Sequence, residues 1–226
     1  MLSKYAKGFL LTAMSIGALQ VLPTDGAQAA GVYPCDGNPG VYIYKDANYT
    51  GTCNRVDIGD YADLASNGIT NDDASSIKLV HPSPYLRYEA TLYQHSNYQG
   101  AKSVLRFDQP KLDVENVGND NVSSMKIRTI QQSEFEGVYL YDNPGFHGDW
   151  VKVTGPVSDL STLSFNDRTT SIYIVGRYTG YVYTNAGFYG VNLKISSDGT
   201  GVPTYDLGAR LDGTNNSISS ISVTTY

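Results

Sequence analysis

The chain is poor in charge and in the side chains that most enzymes use for chemistry. Of its 226 residues 17% are charged, three are histidine, two are cysteine and one is tryptophan. His81, His95 and His147 have no HExxH spacing, and the sequence contains neither a Gly-x-Ser-x-Gly elbow nor a glycine-rich phosphate loop. Carboxylates are scattered, and nothing selects a catalytic pair. A non-enzymatic protein is expected. The net charge of −6 makes nucleic acid and anionic membrane surfaces poor partners. No apolar run reaches the roughly 20 residues of a membrane-spanning helix. The most apolar stretch, "GFLLTAMSIGALQVL", follows Lys4 and Lys7 and precedes "AQA" at 27–29. That pattern predicts a signal peptide over residues 1–29, cleavage near Ala29, and a secreted or periplasmic product. In an oxidising compartment Cys35 and Cys53 are expected to form a disulfide.

What the chain has in quantity is tyrosine, 19 residues, and glycine, 23 residues. With many Thr and Val, this favours short strands joined by turns, an all-β protein. Trp150 is expected in the core, and the many tyrosines are expected to pack on strand faces rather than form a carbohydrate platform. Two sequence elements recur four times. The first is aromatic-x4-aromatic-x-Gly: "YKDANYTG" (44–51), "YQHSNYQG" (93–100), "YDNPGFHG" (141–148) and "YTNAGFYG" (183–190). Each follows an alternating run, so it reads as a folded hairpin over which two rings close, with Gly51, Gly100, Gly148 and Gly190 in a conformation that a side chain would penalise. The second is rich in oxygen: "NDDASSIKL" (71–79), "NDNVSSMKI" (119–127), "NDRTTSIYI" (166–174) and "NNSISSISV" (215–223). The interval between the two elements is similar in three copies and lengthened in the fourth around "SSDGTG" (196–201). It leaves room for four strands per copy.

Together the two elements resemble the double Greek-key motif of the βγ-crystallin superfamily, particularly its microbial calcium-binding members, over residues 41–226. The resemblance implies two double Greek-key β-sandwich domains, 41–130 and 137–226, with an N-terminal extension at 30–40 and a linker at 131–136. Two motifs would intercalate in each domain. It also implies Ca2+, up to two ions per domain, each shared between motifs. The residues suit that ion, because calcium takes six to eight oxygens and the four stretches contain no cysteine or histidine.

The resemblance implies the following ligands. Hydroxyls come from the fifth motif position, Ser75, Ser123, Thr170 and Ser219, and main-chain carbonyls from the third, Asp73, Asn121, Arg168 and Ser217. Side-chain oxygens come from the first two positions: Asn71 and Asp72, Asn119 and Asp120, Asn166 and Asp167, Asn215 and Asn216. Further carbonyls follow the first hairpin aromatic, at Lys45, Gln94, Asp142 and Thr184. Counting carboxylates motif by motif makes the second domain the weaker binder and Ser219 a weak site. The bland alternative is that these side chains only cap turns. A structural, stress or coat role fits such a protein. A secreted metalloprotease inhibitor on the same fold is the alternative, suggested by the two cysteines in "YPCDGNPGVYIYKDANYTGTC" (33–53).

Overall fold

The computed structural model describes residues 31–69, 71–197, 204–207 and 215–226. The expected signal peptide lies outside this range, as does most of "SSDGTG". The described chain is almost all strand and turn, arranged as four antiparallel sheets. The first half contains β1 (Val32–Pro34), β2 (Gly40–Asp46), β3 (Thr50–Val56), β4 (Gly59–Tyr61), β5 (Ser76–Val80), β6 (Leu86–His95), β7 (Gln99–Leu105) and β8 (Ser124–Gln131). The second contains β9 (Gly137–Asn143), β10 (His147–Val153), β11 (Ser171–Val175), β12 (Tyr178–Asn185), β13 (Tyr189–Ser196), β14 (Thr204–Asp206) and β15 (Ser220–Thr225).

Sheet order shows how the motifs interlock. The sheets run β1-β3-β2-β5, β4-β8-β6-β7, β10-β9-β11-β14 and β13-β12-β15. Strand β4 belongs to the first motif yet pairs with β8 of the second. In return, Gln109 of the second motif bridges Ile77 on β5 through bonds of 2.8 and 2.9 Å. The second half repeats the exchange: β14 pairs with β11, and Val157 bridges Ile221 on β15. This is the double Greek key, two motifs per sandwich, twice over.

Each sandwich has its own apolar centre. Val41, Ile77, Leu92 and Met125 are fully buried in the first, and Leu140, Ile172, Val182 and Ile221 in the second. These residues fall on alternate positions of their strands, the period that places one face inward. A third cluster, with Ile130, Phe135, Tyr139 and Tyr141 at its heart, lies between the two. Residues 132–135 of the expected linker form a single helical turn, α1 (Gln132–Phe135), that buries Phe135 there. Trp150, expected in the core, packs half-buried against this third cluster, where Nε1 donates to the Val104 carbonyl of the other domain at 2.8 Å. An indole N–H needs an acceptor when water is excluded, and an inter-domain contact offers one that a fully apolar core lacks. Arg106 Nη1 adds a bond to Tyr139 Oη at 3.1 Å.

The expected disulfide is present: Cys35 and Cys53 are bonded with their Cα atoms 5.8 Å apart, tying the segment after β1 to β3. Among the described residues no helix is long and apolar enough to cross a membrane.

Candidate metal centre

The four hairpins fold as their spacing predicts. The ring pairs Tyr44–Tyr49, Tyr93–Tyr98, Tyr141–Phe146 and Tyr183–Phe188 meet edge-on, with centroids 5.9, 5.6, 6.2 and 5.9 Å apart. The conserved geometry is left-handed at two successive residues, Asn48 (φ 58°) and Tyr49 (φ 61°) in the first copy. Tyr98, Phe146 and Phe188 repeat it at 62°, 68° and 67°. Such a backbone is costly for an aromatic residue and persists only where neighbours enforce it. Gly51 (φ 77°) then allows the return strand to pass, since a Cβ there would run into the Asp46 carboxylate.

The enforcing neighbour is the sixth residue of each oxygen-rich stretch. Ser76 Oγ accepts the Tyr49 N–H at 3.0 Å and donates to the Asp46 carbonyl at 2.7 Å. Ser124, Ser171 and Ser220 make the same two bonds to their own hairpins, to Tyr98 and His95, to Phe146 and Asn143, and to Phe188 and Asn185. All four are fully buried. For the sixth position, then, the alternative reading describes the side chain: it bonds to neighbouring backbone in every copy.

The preceding residue, the expected hydroxyl ligand, faces a different partner. Its backbone N–H bonds to the carbonyl of the first hairpin aromatic in every copy, as Ser75 does to Tyr44 at 2.9 Å and Ser123 to Tyr93 at 3.0 Å. Its hydroxyl meets the second position of the other motif in the same domain. Ser75 Oγ donates to Asp120 Oδ1 at 3.0 Å, and Ser123 Oγ lies 2.8 Å from Asp72 Oδ1. Ser219 Oγ reaches Asp167 Oδ1 at 2.9 Å, and Thr170 Oγ1 reaches Asn216 Oδ1 at 2.6 Å. Three of the hydroxyls also lie against the expected hairpin carbonyls: Ser123 against Gln94 at 2.8 Å, Thr170 against Asp142 at 2.9 Å and Ser219 against Thr184 at 2.9 Å.

The backbone makes this crossing reciprocal. Asp72 N–H bonds to the Val122 carbonyl at 3.3 Å while Asp120 N–H bonds to Ala74 at 3.1 Å. In the second domain Asp167 bonds to Ile218 and Asn216 to Thr169, each at 3.0 Å. The second position is left-handed in all four, with φ between 49° and 55°, a conformation that Asp and Asn tolerate better than most residues. The first position plays a supporting part. Asn71, Asn119 and Asn166 donate their amides to the second carboxylate oxygen of Asp72, Asp120 and Asp167 at 2.7 to 2.8 Å. In the fourth copy Asn215 Oδ1 is buried without a partner among the described residues.

The third position varies. Asp73 forms an ion pair with Lys45 at 3.1 Å. Arg168 Nη2 holds Asp142 Oδ2 at 2.6 Å and Asp149 Oδ2 at 2.8 Å, and these bonds, Asp149's first, push its pKa up. Asp142 Oδ1 is buried without a partner. Among the described residues no three His, Cys, Asp or Glu side chains gather where they could hold a metal. A cation at these loops would therefore rest on hydroxyls, amides and main-chain carbonyls, with at most a single second-position carboxylate in each cluster.

No family model matches the chain. It is 34% identical over 92 residues to Spherulin-3A of Physarum polycephalum, spanning 39% of this chain and 82% of that protein. It is 26% identical over 134 residues to the Epidermal differentiation-specific protein of Cynops pyrrhogaster, across 58% of this chain and 36% of that one, so it spans about a third of that relative's length. Among solved structures, a βγ-crystallin domain from Flavobacterium johnsoniae is 40% identical across 39% of this chain and 92% of its own, with a TM-score of 0.34. On its 34% identity across 82% of Spherulin-3A, the chain belongs to the βγ-crystallin superfamily.

Proposed function

We propose that the protein is an exported, non-enzymatic calcium-binding protein whose fold is stabilised by the ions it holds. The observation that carries this reading is the crossed oxygen cluster, in which a hydroxyl of one motif meets a side-chain oxygen of the other, four times over. The donor chemistry fits. Calcium accepts carboxylates, amides, hydroxyls and carbonyls at roughly 2.3–2.6 Å, and oxygens 2.6 to 3.0 Å apart can be neighbours in one such shell. A simple turn cap leaves the long-range pairing unexplained, since Ser75 and Asp120 stand 45 residues apart.

In this reading the domains are 41–130 and 137–226, joined by 131–136, and each ion lies between motifs. One site of the first domain uses Ser75 and Asp120 with the Lys45 carbonyl, and the other uses Ser123 and Asp72 with that of Gln94. In the second domain Thr170 works with Asn216 and Asp142, and Ser219 with Asp167 and Thr184. Main-chain carbonyls of Asp73, Asn121, Arg168 and Ser217 complete the shells. The Cys35–Cys53 bond supports export, because disulfides persist in oxidising compartments. The test is calorimetric titration of chelator-treated protein with calcium, paired with melting in calcium and in chelator. Heat of binding and a raised melting temperature are expected; superimposable melts at millimolar calcium overturn the reading.

A further inference from the structure

A cleft of about 590 Å³ opens between the two domains. Its size is that of small-molecule sites, and nothing in the calcium reading uses it. Phe107 of the first domain, Phe146 and Tyr173 of the second, and Phe135 of the connecting turn line it. Their rings pack closely, Phe107 to Tyr173 at 4.5 Å and Phe146 to Tyr173 at 5.3 Å between centroids. Phe107, Phe146 and Tyr173 remain only partly buried, which leaves aromatic surface toward the opening.

Three polar groups give the cleft a recognition pattern. Gln109 is 5% exposed, and its Oε1 has no hydrogen-bond partner among the described residues. Its backbone N–H and carbonyl both bond to Ile77, which fixes the position of its main chain. A buried acceptor without a donor is unfavourable, and a ligand N–H or O–H removes the penalty. Arg87 is the second group. Its guanidinium lies over Phe135 at 5.2 Å and its Nε donates to Gln132 Oε1 at 2.9 Å, but among the described residues no carboxylate pairs with it. The other basic side chains of the cleft have partners: Arg106 is bonded to Glu89, and His147 faces Glu115. Asp108, the carboxylate at the rim, accepts the Leu79 N–H. His81 is the third group. Because its Nδ1 accepts the Tyr88 N–H at 3.0 Å, the neutral ring carries its proton on Nε2 and is a donor. Burial, and then Arg87, lower its pKa to about 4, so the neutral form prevails at pH 7.

We propose that this cleft binds a small planar aromatic acid bearing an N–H or O–H donor, with its ring against Phe107, Phe146 and Tyr173, its donor on Gln109 Oε1 and its anionic group on Arg87. The ligand bridges the two domains and needs no calcium.

The test uses three probes on the whole protein in chelator: indole-3-acetate, indole-3-acetamide, which lacks the charge, and 1-naphthaleneacetate, which lacks the N–H. Binding is followed by NMR shifts of the Phe107, Phe146 and Tyr173 signals and by titration. Indole-3-acetate is expected to bind at least about tenfold more tightly than either analogue. Arg87→Gln should abolish the preference for acetate over acetamide, and Gln109→Leu the preference for indole over naphthalene. Absence of shifts at those three residues with millimolar indole-3-acetate in the unmodified protein overturns the proposal, whatever the variants do. Equal affinity for all three probes overturns the assigned chemistry.

Discussion

Adjacent hydroxyls in "SS" at 75 and 76 should respond in opposite ways to the same deletion. Ser76→Ala removes the acceptor of the Tyr49 N–H and the donor to the Asp46 carbonyl, a clip centred on a fully buried hydroxyl. Leaving a buried polar group unsatisfied costs roughly 1–3 kcal/mol, so losing this clip should cost about 2–4 kcal/mol, the carbonyl contributing less than the N–H. The loss should appear equally in chelator and in calcium. Ser75→Ala removes a hydroxyl whose partner, Asp120, is exposed and can turn to water, so its cost in chelator should stay below about 1 kcal/mol. In calcium, however, it should forfeit one site's stabilisation, about 2.7 kcal/mol at a hundredfold excess over Kd. Urea unfolding of both variants, with and without calcium, measures all four numbers. Identical profiles for the two variants would refute the division of labour between positions five and six.

Three further outcomes are expected. Reducing Cys35–Cys53, which closes an eighteen-residue separation, should cost about 3 kcal/mol in the chain-entropy model while leaving the second domain's unfolding unchanged, as domain-resolved unfolding with and without reductant will show. His81, held near pKa 4 by burial, is protonated more readily in the unfolded chain; stability should therefore fall as pH drops from about 6.5 toward 4, and His81→Gln should flatten that slope in urea midpoints taken at pH 7.5 and 5. The weakest calcium step should be the one lost on Thr170→Arg, because neutral Asn216 faces Thr170 and Arg168 occupies the Asp142 carboxylate. Asn216→Asp should strengthen that step in calorimetry, and no change would refute the crossed assignment.

The last of these shows where sequence reading stops. Ring pairs, left-handed glycines and oxygen-rich strand entries were legible because each is a local device, encoded within eight or nine residues. The crossing is not local. Counting charge within a motif put the weak site at Ser219, whereas the fold gives Ser219 the Asp167 carboxylate, 52 residues away, and leaves Thr170 with an amide. Trp150 does pack against a core cluster, but that this cluster lies between domains is not local information: its partner, Val104, belongs to the other domain. The pairing of Arg168 with Asp142 likewise joins a loop to a hairpin 26 residues earlier. Patterns announce elements; contacts between patterns depend on how the strands are exchanged.

That exchange also determines what the smallest self-sufficient piece of this protein can be. With β4 seated beside β8, and Gln109 bridged to Ile77 on the outer strand of the other sheet, each motif of the first domain borrows an edge from its mate. A nick in the loop at 81–85 would therefore not release two halves: the fragments would stay clasped, each supplying a missing edge to the other. Separately made, such halves should recombine on mixing, and a half left without its mate should seek a second copy of itself. The inheritable unit of this architecture is the pair of motifs, so lengthening the chain by whole domains is easy and losing a single motif is not.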